Sequence, residues 1–212
     1  MLIRTLLDLL FPPRCILCHR FLPHSREPVC DDCAAYVLSR PVCLRQGRVP
    51  CLAPLPYEGR VRQSLKRYKF QGRSFYAETY GAWLAAALGR NPDLLPDMIC
   101  WVPVSRKRKR RRGYDQAELL ARSVARELQI PVCACLKKLR DNPPQSGISS
   151  RQQRRKNVMG VYAPLQPEQF SGKRLLLVDD ILTTGATMEE CGRVLRRAGA
   201  ADVMGGTLAM KN

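Results

Sequence analysis

The clearest pattern of hydrophobic and polar positions lies near the end of the chain. A continuous apolar run at 175–178 is followed by two acidic residues and a hydroxyl-rich turn. After the turn, apolar residues recur at helical spacing from Met188 to Ala198. This order predicts a buried parallel strand, a loop of the size that holds a phosphate, and a helix that begins at that loop.

The same periodicities continue through the rest of the chain after residue 57. Short continuous apolar runs indicate buried strands, and apolar residues at helical spacing indicate amphipathic helices between them. Their alternation predicts an α/β fold in which helices flank a parallel sheet. The predicted helices lie near 61–68, 80–88 and 114–128, and the predicted strands at 98–104, 132–136, 158–163 and 202–210, with 158–163 returning to the sheet.

The turn after the apolar run has the groups that an anionic sugar ligand needs. Backbone N–H groups at a helix N-terminus attract an anion, and glycine lets the backbone approach it closely. Two carboxylates at a strand end can accept hydrogen bonds from vicinal sugar hydroxyls or hold a hydrated Mg²⁺. The alternative is an ordinary acidic cap, although paired carboxylates there are costly without a partner. The candidate residues are Asp179, Asp180, Thr183, Thr184, Gly185, Ala186 and Thr187.

Residues 12–56 form a module rich in proline and cysteine. Its two Cys-x-x-Cys pairs are separated by eleven residues, and four thiolates can close a tetrahedral Zn²⁺ site. A redox pair and a remnant that has lost its metal are the alternatives. Cys43 and Cys51 are interpreted as the decayed half of a second ribbon. The predicted zinc ligands are Cys15, Cys18, Cys30 and Cys33.

No secretory signal is recognised before these cysteines, so we expect a reduced, cytoplasmic protein. The apolar opening at 1–11 is interrupted by Asp8 and is too short to span a bilayer. It suits a short helix that docks on the rest of the chain. No transmembrane segment is therefore expected.

Charge is concentrated in one part of the chain. The net charge is +18, and residues 101–160 contain 16 basic and 4 acidic residues, including seven consecutive cations from Arg106 to Arg112. This asymmetry predicts a polyanionic ligand, with single-stranded nucleic acid as the leading candidate and a solvated basic surface as the alternative. We expect the polar segment 137–160 to be a mobile loop or lid. The candidate nucleic-acid-binding residues are Arg108, Lys109, Arg110, Arg111, Arg112, Arg151, Arg154, Arg155 and Lys156, and four further cations expected on an exposed helix face are Arg62, Lys66, Arg67 and Lys69.

The stretch 175–187 resembles the phosphoribosyl-pyrophosphate (PRPP) signature of type I phosphoribosyltransferases. The resemblance implies a type I phosphoribosyltransferase-like domain at 57–212, behind a zinc-ribbon module with four cysteine ligands at 1–56. It also implies Mg²⁺ as a companion of PRPP, in addition to structural zinc. The loop after strand 98–104 is equivalent to the family's pyrophosphate loop, which implies roles for Val104, Ser105, Arg106 and Lys107.

Almost the entire chain is similar to the ComF family of competence-associated, phosphoribosyltransferase-like proteins. Two features depart from that family: Asp115 stands where asparagine is usual, and the second cysteine pair near Cys43 is incomplete. The motifs that carry the resemblance, besides the cysteines and the turn, are Lys69-Phe70, Val102-Pro103-Val104, residues 112–121, Pro144-Gln145-Ser146-Gly147 and Arg155-Lys156-Asn157-Val158.

The ComF resemblance implies a cytoplasmic accessory of single-stranded DNA uptake during natural transformation. Peripheral association with the inner membrane is an alternative location, and DNA-uptake helicase or channel proteins are the implied partners. Two other functions stay open at this point. One is an active phosphoribosyltransferase with an unidentified base or amine as acceptor, and the other is a PRPP-sensing regulator that acts through the zinc module.

Overall fold

The computed structural model describes residues 12–23, 27–143 and 150–211, without the side chain of Arg151. The helix expected at 1–11 and the motif at 144–147 lie outside the described residues.

Two short 3₁₀ turns, Pro92–Leu94 and Pro167–Gln169, accompany the regular elements. The helices are α1 (Asp31–Leu38), α2 (Gly59–Phe70), α3 (Tyr76–Gly89), α4 (Arg106–Arg112), α5 (Gln116–Leu128), α6 (Arg151–Val158) and α7 (Ala186–Arg197). The strands are β1 (Cys43–Arg45), β2 (Cys51–Ala53), β3 (Leu55–Pro56), β4 (Met98–Trp101), β5 (Leu136–Lys138), β6 (Tyr162–Pro164), β7 (Arg174–Leu182) and β8 (Asp202–Met210).

The central sheet confirms the predicted α/β fold. Its strand order is β1-β2-β8-β7-β4, and β3 pairs with β8 as well. All pairs are parallel except the antiparallel pair of β1 and β2. β7 lies between β4 and β8, which explains why its apolar run is continuous: a parallel strand is covered on both faces.

Alternate residues of β7 enter two different cores, because successive side chains of a strand point to opposite faces. Leu176 and Val178 are buried among residues of α2, α3 and α5. Leu175 and Leu177 are buried among residues of α7, β5 and β6. The molecule therefore has three layers, and β7 belongs to both cores.

The strands between residues 43 and 56 belong to the central sheet. β2 pairs with β8 through Cys51↔Gly205, and β3 pairs with it through Leu55↔Ala209. The predicted domain boundary lies at residue 56. The three strands β1, β2 and β3 come before that boundary, yet they belong to the sheet of the larger domain.

Two segments expected to be loops contain helices. Residues 106–112 form α4, because the Ser105 hydroxyl accepts a hydrogen bond from the Arg108 N–H at 3.3 Å and Gly113 ends the helix at φ 84°. Residues 151–158, inside the expected lid, form α6. In both places the many cations hide the helical pattern, which is normally carried by apolar residues.

Two predicted strands are also placed differently. The segment predicted as a strand at 132–136 makes one parallel bridge, from Val132 to Ile99, and β5 begins only at Leu136. The strand expected to return to the main sheet is β6, which instead pairs antiparallel with β5 in a separate two-stranded sheet. Tyr162 and Leu136 are buried on the α7 side, so this pair covers one face of the central sheet.

Gly81 allows α3 to pack closely against α5, and this contact gives a test of the core. A Cβ atom at Gly81 would lie 2.2 Å from Ser123 Oγ and 2.4 Å from its Cβ. Gly81→Ala should therefore lower the free energy of unfolding by about 1–3 kcal/mol in urea denaturation. Gly89→Ala in the same helix is the control, since its Cβ would meet no atom within 4 Å. Equal effects of the two substitutions would contradict the packing.

Candidate functional site

Asp179 and Asp180 lie inside β7, near its carboxyl end. Asp180 is buried with 8% of its surface exposed, and its N–H donates to Asp179 Oδ1 at 2.8 Å. Burial raises the pKa of Asp179, and the neighbouring charge of Asp180 raises it further. The two carboxylates thus form a pair of like charges that repel each other near the carboxyl end of β7.

Two lysines, Lys69 and Lys138, interact electrostatically with the carboxylate pair. Lys69, at the end of α2, places its Nζ 2.9 Å from Asp180 Oδ2, and both side chains are mostly buried. The Nζ of Lys138, in β5, lies over the Tyr162 ring at 5.3 Å from the ring centroid. Burial and the charge of Arg108 lower the pKa of Lys138 to about 8, while Asp179 acts in the opposite direction. The expectation that Lys69 is exposed is wrong, because the last turn of α2 meets the end of β7.

The turn between β7 and α7 keeps its predicted shape. Gly185 has φ 83° and immediately precedes α7, and its carbonyl accepts the Glu189 N–H at 2.8 Å. Arg45 of β1 donates to the Thr183 carbonyl at 2.5 Å and also to the Lys211 carbonyl. A cavity of about 590 Å³ opens beside this turn. Its lining includes Thr183, Thr184, Gly185, Arg45, Arg154 and Lys211.

The loop after β4 begins beside the carboxylates. Trp101 pairs with Val178, and the Val102 N–H donates to the Val178 carbonyl at 2.9 Å. Asp115 determines the path of this loop. Its Oδ2 accepts the Val104 N–H at 3.0 Å, and its Oδ1 accepts N–H groups from the first turn of α5. Ser105 is buried, whereas Arg106 and Lys107 are exposed.

Aspartate in place of asparagine at position 115 thus gives two acceptor oxygens, one for the loop and one for the helix. Burial raises the pKa of Asp115, and the N–H groups of Val104 and Glu118 oppose that rise. The loop and the start of α5 are therefore held by one side chain.

The predicted nucleic-acid residues lie on α4 and α6. Lys109, Arg110, Arg111, Arg155 and Lys156 are exposed. Arg108 is more restricted: it donates to the Asn142 carbonyl and lies 3.6 Å from Asp141. Arg112 bonds Gln116 at 2.7 Å and lies over the Phe70 ring at 5.0 Å.

Two ion pairs restrict cations of this basic surface. Arg155 pairs with Glu189 of α7 at 3.0 Å, which connects the two helices, and Lys109 pairs with Glu118 of α5 at 2.9 Å. Arg154 is half-buried and has interactions of its own. Within the described part of the chain, the exposed cations of the predicted set that lie outside these ion pairs are Arg110, Arg111 and Lys156.

The four predicted zinc ligands come together. The sulfur atoms of Cys15, Cys18, Cys30 and Cys33 all lie within 4.8 Å of one another. Burial opposes ionisation of Cys15, but backbone N–H groups, first that of Cys18, lower its pKa to about 7, whereas burial raises the pKa of Cys18 and of Cys33. The fit to a structural zinc site therefore rests on the convergence of the four sulfur atoms, which bind Zn²⁺ as thiolates.

Helix α2 contacts both the cysteine cluster and the carboxylates. Near its start, Arg60 Nη1 donates to Cys33 Sγ at 3.2 Å. In its last turn, Arg67 donates to the carbonyls of Ile16 and Leu17 at 2.9 and 2.7 Å, and Lys69 contacts Asp180. Sequence analysis missed this role, because only the tertiary structure brings these groups to α2.

Comparison with known proteins first defines the class. A family model described as a phosphoribosyl transferase domain matches residues 115–212, and one described as a double zinc ribbon domain matches residues 6–63. The chain thus joins a phosphoribosyltransferase-type domain to a zinc-ribbon module. None of the helices within the described residues is long and apolar enough to cross a membrane.

Its relatives then define the family. A protein of Salmonella typhi named DNA utilization protein YhgH is 32% identical over 91% of this chain and 94% of its own length. Competence protein F of Haemophilus influenzae is 29% identical over 90% and 93%, and competence protein ComFC of Bacillus subtilis is 28% identical over 88% and 73%. The chain belongs to the ComF family of competence-associated, phosphoribosyltransferase-like proteins.

The cysteine cluster gives a prediction about metal content. Among the residues that the structure describes, only one group of four thiols is close enough to hold a metal, and Cys43 lies apart from it on β1. We expect about one zinc ion per chain by plasma mass spectrometry. Cys33→Ser should lose the metal and Cys43→Ser should keep it. Two zinc ions per chain, or metal loss in the Cys43 variant, would contradict the prediction.

The raised pKa of Asp179 gives a prediction about pH. Below pH about 4 the carboxyl is protonated in both the folded and the unfolded chain. As the pH rises from there to the raised pKa of the folded state, the unfolded chain releases this proton before the folded chain does, so the wild type loses stability that the asparagine variant keeps. Asp179→Asn keeps the acceptor for the Asp180 N–H.

In thermal melts at pH 8, the Tm of this variant should therefore be higher than that of the wild type, by about 2–4 °C for each kcal/mol of stability gained. The difference should vanish near pH 4. A variant that is less stable at pH 8 would show that ionised Asp179 stabilises the fold.

Proposed function

We propose that this protein binds PRPP with Mg²⁺ and holds single-stranded DNA during its uptake in natural transformation. The observation that supports the proposal is the position of three features at one edge of the sheet. These are the carboxylate pair of β7, the turn at the start of α7, and the loop that leads from β4 into the basic helix α4. The names of the relatives support the role in DNA uptake.

In this proposal, each part of PRPP meets a different part of the site. Asp179 and Asp180 accept hydrogen bonds from the ribose hydroxyls. The backbone and hydroxyl groups of residues 183–187 bind the 5′-phosphate. The pyrophosphate lies against residues 104–107, where Arg106 and Lys107 contribute positive charge. Mg²⁺ neutralises the pyrophosphate, which would make it a better leaving group if a ribosyl transfer takes place.

The DNA backbone would follow the exposed cations of α4 and α6. Exposed basic side chains bind phosphates without reading the sequence, and each neutralised phosphate releases counterions. Such binding is strongly dependent on salt. We place the protein in the cytoplasm, with DNA-uptake helicase or channel proteins as its partners.

Calorimetric titration with Mg-PRPP tests the PRPP half of the proposal. Asp179→Asn/Asp180→Asn should weaken binding by at least about tenfold, since it removes two charged acceptors. Asp97→Asn is the matched control, because Asp97 is a surface carboxylate paired with Arg174 at 3.2 Å near the opposite end of β7. Binding that is unchanged in the double variant, or absent from the wild type, would contradict the proposed site.

Fluorescence anisotropy with a labelled single-stranded oligonucleotide tests the DNA half. Arg110→Gln/Arg111→Gln should weaken binding and flatten the plot of log K against log salt by about 0.7 for each lost phosphate contact. Arg62→Gln/Lys66→Gln removes two exposed cations from α2 and is the charge-matched control. Equal effects of both variants would mean that net charge alone, and no particular surface, binds the DNA.

A further inference from the structure

Lys69 occupies a fixed position at the phosphoribosyl site. It follows Tyr68, which is fully buried and whose hydroxyl donates to the Gln116 carbonyl at 2.8 Å. Tyr114 in turn donates its hydroxyl to the Tyr68 carbonyl. Two aromatic side chains thus hold the last turn of α2 in place, and in this position Lys69 contacts Asp180.

The ammonium group of Lys69 balances the charge of Asp180 without a metal. The contact of 2.9 Å joins side chains that are 21% and 12% exposed, so water screens it much less than a surface pair. Among the described residues, no other cation lies within 4 Å of either carboxylate of the β7 pair. Lys69 is therefore the cation that lies against Oδ2 of Asp180.

An ammonium group and a divalent ion make different demands on a carboxylate. Mg²⁺ needs near-octahedral oxygen ligands and gives up its water reluctantly, and a neighbouring positive charge repels it. A carboxylate that already accepts one bond from an ammonium still has lone pairs for sugar hydroxyls. A lysine at this position thus pairs with the carboxylate and leaves it able to bind ribose.

We propose that Lys69 is a resident cation of the phosphoribosyl site, so that Asp180 binds the hydroxyls of 5-phosphorylated riboses with no divalent ion. This inference rests on the proposed function and makes it more specific. Mg²⁺ is then needed only for binding the pyrophosphate group of PRPP. A 5-phosphorylated ribose that lacks pyrophosphate should bind equally well with and without Mg²⁺.

The first test is calorimetric titration of the zinc-loaded protein with ribose 5-phosphate, in chelator-free buffer without added divalent ions and in excess Mg²⁺. The wild type should bind with the same affinity in both conditions. Lys69→Met should lose at least about tenfold without Mg²⁺ and recover when Mg²⁺ is added. Lys66→Met, an exposed neighbour on the same helix, should behave as the wild type. A wild type that needs Mg²⁺, or a Lys69 variant that binds as tightly as the wild type without Mg²⁺, would overturn the inference.

The second test needs no sugar ligand and therefore separates this inference from the proposed function. Free and bound Mn²⁺ are distinguished by electron paramagnetic resonance on the zinc-loaded protein. The wild type should bind no Mn²⁺ through Asp180. Lys69→Met should gain a site that Lys69→Met/Asp180→Asn lacks.

Wild-type Mn²⁺ binding that is lost in Asp180→Asn, or no gain in Lys69→Met, would overturn the inference. If the Mn²⁺ pattern holds and no phosphoribosyl compound binds the wild type, the proposed function fails while the role of Lys69 as a resident cation stands. Thermal melts of each variant verify that it is folded.

Discussion

Two adjacent carboxylates inside a buried strand are the constraint on which the rest of the site depends. Taking ionised groups out of water is expensive unless opposite charges and hydrogen bonds compensate for it. Here the compensation comes from separate elements. The backbone N–H of Asp180 bonds Asp179, and the last turn of α2 brings Lys69 to Asp180. The ends of α2 and β7 therefore lie side by side, while Val61, Leu65 and Tyr68 pack the helix into the core.

The N-terminal module is part of the same arrangement. β1 and β2 extend the central sheet, and from β1 Arg45 bonds the carbonyl of Thr183 in the turn before α7. Helix α2 contacts the cysteine cluster at one end and Asp180 at the other. One helix thus contacts both the cysteine cluster and the carboxylate pair.

Sequence analysis was most successful where the signal is local. The turn at 183–187 and the Cys-x-x-Cys pairs depend on residues close together in the chain, so their spacing is sufficient to predict the turn and the cysteine cluster. The family resemblance includes the motif Lys69-Phe70, but the contact of Lys69 with Asp180 could not be predicted from it. The amphipathic pattern of α2 places Lys69 on a polar face, and only the position of β7 shows that this face is partly covered. The helix α4 was missed because its seven residues are all cations, although Ser105 and Gly113 are ordinary signals for a helix start and end.

The central claim is that the carboxylate pair and the turn before α7 together form a phosphoribosyl site. A crystal structure of the protein with Mg-PRPP tests it most directly. The account predicts ribose hydroxyls within hydrogen-bond distance of Asp179 and Asp180, and the 5′-phosphate against residues 183–187. Ligand density that lies only along the basic helices, with the carboxylates and the turn unchanged, would contradict it.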